Sequence, residues 1–103
     1  MADLSSSLPP LAPVEREVTA SAAEFVRGLE SAFPGALTGG PLGFRAAGKG
    51  AAMEIELTRG ADRRVGGLAL PTLVVRIRFT GGDGEAQAAL LAHMDRAMQR
   101  GGG

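Results

Sequence analysis

Apolar and polar residues repeat with two different periods along this chain. In Met53-Glu54-Ile55-Glu56-Leu57 every second side chain is apolar, which is the pattern of a strand with one buried face. Leu73, Val75, Ile77 and Phe79 repeat it against Val74, Arg76 and Arg78, and this is the strongest strand signal in the chain. Val14-Glu15-Arg16-Glu17-Val18 carries a shorter version and predicts a first strand. Leu42 to Ala46 predicts a further strand, after an interruption at Gly39-Gly40-Pro41, and Gly48-Lys49-Gly50 is a tight connection to the next. Arg59 to Arg63 reads as a turn. Val65 to Leu70 reads as a weaker strand, with Gly66-Gly67 as a bulge and Pro71 as its end.

Two segments follow the helical period instead. Ser21-Ala22-Ala23-Glu24 has the spacing of a capping box, in which the serine oxygen and the glutamate each satisfy an orphan backbone N–H. Ala22, Phe25, Val26, Leu29, Ala32 and Phe33 then share one face, until Pro34-Gly35 stops the helix. Gly28 within it permits close packing, expected against the sheet. Asp83 is placed to cap a second helix running to Arg100. Leu90, Leu91, Met94, Ala97 and Met98 form its apolar face, and Gly101 is its expected stop.

The element order is β-α-β-β-β-β-α. It predicts an α+β two-layer sandwich: an antiparallel sheet of four or five strands with two helices on one face. Residues 1–13, rich in serine and proline, read as a disordered leader, residues 14–100 as a single domain, and residues 101–103 as a flexible glycine tail. A homodimer across an open sheet edge would add stability to so small a domain.

Composition narrows the chemistry. The chain has 103 residues, with 11 basic and 11 acidic side chains, one histidine and no Cys, Trp or Tyr. The absence of Cys removes disulfides, thiolate catalysis and Cys-based zinc sites. There is no apolar run long enough to span a membrane and no signal-peptide pattern at Met1, so a cytoplasmic protein without a membrane partner is expected. Ten of the 11 basic residues are Arg, a bias that a GC-rich genome produces without any functional demand.

Charge is unevenly spread. Between residues 35 and 78 there are seven bases and three acids, whereas residues 1–34 have two bases and five acids. Glu54 and Glu56 share the outward parity of their strand, as Arg76 and Arg78 do of theirs, and with Arg45 they are candidate contacts for a protein partner. If the two strands are neighbours, those four would also pair with one another across a solvated face. Arg59, Arg63 and Arg64 cluster in one connection, as an anion-binding turn would require. Nucleic acid is disfavoured: stacking needs exposed aromatics, and the four Phe fall at core positions.

No catalytic constellation is present. The serines lie in the leader, at the first helix cap and on the outer face of that helix. The single His93 sits at the edge of the second helix's apolar face, and reads as a boundary histidine rather than a general base or pH switch. Ala89 and Ala97 occupy the positions a carboxylate co-ligand would need, so no metal is expected. Gly81-Gly82-Asp83-Gly84 before the helix lacks the Lys-Ser/Thr of a phosphate loop. No cofactor is implied, and the expectation is a non-catalytic interaction or regulatory module.

Two short resemblances add to this. Val14 to Phe25, a strand followed by a capped, acidic helix start, resembles the opening of START-like helix-grip domains over about a dozen residues. Those domains hold apolar ligands between a curved sheet and a long C-terminal helix. The resemblance implies an alternative function as an apolar-ligand binder, with Phe79, Leu90, Met94 and Met98 lining the pocket. The chain is shorter than those domains and lacks their second short helix. Arg100-Gly101-Gly102-Gly103 resembles the Gly-Gly end of ubiquitin-like modifiers and sulfur carriers, but there the tail follows a strand and here a predicted helix.

Overall fold

A computed structural model describes residues 9–102, with side chains described to residue 99. Five strands form one antiparallel sheet: β1 (Val14–Val18), β2 (Leu37–Gly39), β3 (Gly43–Gly48), β4 (Ala51–Arg59) and β7 (Leu73–Gly81). Their order across the sheet is β1-β7-β4-β3-β2, so the two strands with the cleanest alternation, β4 and β7, lie at or beside its centre. Helix α1 (Ala22–Ala32) follows β1, and α2 (Gly84–Gly102) closes the chain. Two further strands, β5 (Arg63–Val65) and β6 (Leu68–Leu70), pair only with each other, as a two-stranded ribbon between β4 and β7.

The α+β sandwich expected from the sequence is therefore present, with two more strands than the five expected. Leu37–Gly39, ahead of the Gly39-Gly40-Pro41 interruption, forms the edge strand β2, and Val65 to Leu70 is not a single bulged strand. Gly66 takes a positive φ of 59°, and Gly66-Gly67 becomes the two-residue turn of a hairpin. A bulge and a tight turn both use glycine, and short apolar residues on either side suit either. The register shift in the main sheet lies instead between Ala52 and Met53 of β4, opposite β7.

One core joins the layers. Met53, Ile55, Leu57, Leu73, Val75 and Ile77 point from the sheet toward Phe25, Leu29 and Phe33 of the α1 segment and Leu90 and Met94 of α2. Ser21 caps α1 as its spacing predicts: its side chain accepts from the Glu24 N–H at 3.1 Å, and Glu24 Oε1 accepts from the Ser21 N–H at 2.9 Å. Asp83 Oδ1 accepts from the Ala86 N–H at 2.8 Å and starts α2. Gly28 faces α2 rather than the sheet, since a Cβ there would meet Met98 Cε at 2.7 Å. Helix α2 runs through the expected stop at Gly101 to Gly102, because glycine weakens a helix by about 1 kcal/mol without forbidding it. Residues 1–8 of the expected leader and Gly103 of the tail lie outside the described residues.

Candidate functional site

Both helices cover one face of the sheet. The other face is open and displays the outward-pointing residues of β1, β3, β4 and β7. Cross-strand register decides what meets there: Arg45 of β3 lies opposite Glu54 of β4, and Glu54 lies opposite Arg78 of β7. In the next row Glu56 lies opposite Arg76, and Arg76 opposite Glu15 of β1. All five candidate contact residues thus share one surface, with Glu15 added to them.

The charges interlock. Arg45 Nη2 donates to Glu54 Oε2 at 3.0 Å, and Arg78 Nη2 donates to the other oxygen, Glu54 Oε1. Arg76 Nε donates to Glu15 Oε1 at 3.0 Å, while its Nη1 lies 3.9 Å from Glu56 Oε1. Hydrogen bonds from Arg45 and then Arg78 hold the Glu54 carboxyl below the usual carboxylate range. The Glu15 carboxylate likewise raises the Arg76 guanidinium above its ordinary value. Each surface pair is worth little in water, but Glu54 bridges two arginines and fixes both. Around these residues, with Thr38, Gly39 and Pro13 at the sides, the face is hollowed into a shallow trough of about 690 Å³.

The other candidates are distributed differently. Arg59 ends β4, whereas Arg63 and Arg64 belong to β5. Neighbouring residues of a strand point to opposite faces, so Arg63 and Arg64 do not converge. Arg63 Nη2 instead lies 3.7 Å from Glu17 Oε1 of β1. Leu90 and Met94 are buried in the core, with Phe79 and Met98 half-buried against it. The trough on the open face and a second hollow beside the start of α1 are lined by other residues than these four. His93 donates through Nε2 to the Ala32 carbonyl at 2.7 Å and tilts against the Phe33 ring. It occupies one of the carbonyls that the end of α1 leaves free. Among the described residues no three carboxylates or imidazoles come together to hold a metal ion.

Two polar residues on the other side of the sheet escaped the sequence reading. Arg16 shares the inward parity of Val14 and Val18, and its Nη1 donates to Asp95 Oδ1 of α2 at 2.8 Å. Gln87 is buried: its Oε1 accepts from the Leu11 N–H at 2.8 Å, and its Nε2 donates to the Gly82 carbonyl at 2.9 Å. Gln87 thereby ties the segment before β1 to the junction of β7 and α2. The Arg16–Asp95 and Gln87–Leu11 contacts each join residues more than seventy positions apart, and neither side chain's spacing points to that partner.

Comparison with protein families, with curated proteins and with solved structures finds no match to this chain.

Proposed function

We propose that the protein is a non-catalytic interaction module that binds another protein through the open face of its sheet. The observation that carries this reading is the placement of Arg45, Glu54, Glu56, Arg76 and Arg78 in one trough, with their heads held by mutual ion pairs. Charges fixed before contact lose less side-chain entropy on binding than free ones, and a patterned charged face selects a complementary partner.

The sheet edges support this reading against strand addition. The outer strand β1 carries the inward-pointing Arg16 and is preceded by Pro13, and the opposite outer strand β2 is three residues long and runs into Gly40-Pro41. Inward charges, prolines and very short strands are the features that discourage edge pairing. A partner laid on the face meets no such obstacle.

The test is affinity capture from the protein's own host, followed by measured binding to any protein retained at fixed stoichiometry. Arg76→Glu with Arg78→Glu should abolish that binding while leaving the far-ultraviolet dichroism unchanged. Retention of the same partner at the same affinity by the double variant would reject the face as the contact.

A further inference from the structure

Arginine occupies two positions on the helix-facing parity of the main sheet. In β1 it is Arg16, between Val14 and Val18, and Asp95 of α2 answers it at 2.8 Å. In β4 it is Arg59, which continues the parity of Ile55 and Leu57 and lies opposite the buried Leu73 of β7. Among the described residues no carboxylate pairs with Arg59. The sequence groups it with Arg63 and Arg64, but neither of those lines the hollow that Arg59 lines.

That hollow, of about 500 Å³, opens between the first turn of α1 and the β2–β3 connection. Apart from Gly40 its other walls are apolar: Ala22, Ala23 and Val26 on one side, Pro41, Leu42 and Phe44 on the other. Arg59 is the one charged residue among them. Glu24, although in the first turn of α1, does not line the hollow, and its carboxylate is turned back to accept from the Ser21 N–H at 2.9 Å. The walls are fixed before any ligand arrives. The Gly40 N–H donates to the Gly43 carbonyl at 2.8 Å and the Leu57 N–H to the Leu42 carbonyl at 2.8 Å, which ties the β2–β3 connection to β3 and β4. Phe25 and Leu29, buried in the core, hold the α1 wall. Small-ligand sites are concave, largely apolar and preformed, of about 300–1,000 Å³, with few polar groups to orient the ligand.

The lining selects the chemistry. Apolar walls favour a hydrocarbon body, and a guanidinium at one side takes a carboxylate by paired N–H donors. A cation would meet like charge, a neutral molecule would leave the guanidinium unused, and a polyanion would find one positive charge where it needs several. We propose that the hollow binds a medium-chain aliphatic carboxylate, its chain laid against Val26, Leu42 and Phe44 and its head paired with Arg59. The charged rows on the opposite face of the sheet take no part, so this site stands or falls independently of a protein contact there.

Calorimetric titration of the full chain with octanoate tests it, with 1-octanol as the neutral control. Octanoate should saturate a single site, and 1-octanol should bind about tenfold more weakly. Arg59→Gln should weaken octanoate to the level of octanol and leave octanol unchanged. Ala23→Leu, which fills the hollow from the helix side, should weaken both. Both positions are exposed, so both variants should keep the native unfolding temperature within a few degrees. Amide NMR shifts on adding octanoate should move at Ala22, Ala23, Val26 and Leu42. Absence of saturable octanoate binding would overturn the proposal, as would octanol binding as tightly as octanoate, or Arg59→Gln binding octanoate unchanged. Shifts confined to Phe79, Leu90, Met94 and Met98 would also overturn it, and would move the ligand beneath α2.

Discussion

Lys49 is a residue whose conformation its own side chain opposes. It takes a φ of 56° in the two-residue connection between β3 and β4, followed by Gly50 at 80°. Positive φ at both central positions is the type I′ turn that matches strand twist, and Asn-Gly is its preferred pair. Lys49→Asn should therefore stabilise the protein by about 0.5–1 kcal/mol in denaturant unfolding, since asparagine tolerates the left-handed region better. A loss of stability would show that Lys49 has a favourable contact outweighing its backbone cost. At this scale the local signals were readable: Ser21 and Asp83 announce their caps by spacing alone. Gln87 was not readable, because a buried amide that binds Leu11 and Gly82 has the same sequence signature as a solvated one.

At the scale of elements, β4 and β7 were legible because a strand with one covered face must alternate, and theirs do so from Met53 to Leu57 and from Leu73 to Phe79. The β5–β6 ribbon was not, since three-residue strands alternate too briefly to separate a turn from a bulge. The contact residues of β4 and β7 were legible in parity, and their pairing followed only if the strands were neighbours; the part of Arg45 was not legible. Parity places Glu54 outward, whereas only the register puts it between Arg45 and Arg78. That position has a pH signature. The folded-state pKa of Glu54 is lowered, so its contribution is complete above the pKa of the unfolded carboxyl and is lost as pH falls through the folded value. Stability should decline on acidification from the ordinary carboxylate range downward, and Glu54→Gln should make that decline shallower. An acid limb of equal slope in the variant would mean that the two arginines do not hold the carboxylate in solution.

At the scale of the whole molecule, the layers divide the labour. Helices α1 and α2 seal one sheet face with the apolar core, and Arg16–Asp95 bridges β1 to α2 over that seal. The opposite face carries an ordered set of charges. A solvated sheet face needs only to be polar; a face that recognises a partner needs its charges in particular places. These two demands are separated by exchanging the signs within one row: Arg45→Glu, Glu54→Arg and Arg78→Glu together. The triple variant keeps every attraction along the row and reverses what the row presents. The most direct measurement is the affinity of this variant for the captured partner, alongside its unfolding temperature. Lost binding with an unfolding temperature within a few degrees of the native chain is the predicted result. Undiminished binding at the same stability would contradict it and leave the row as a solvated surface alone.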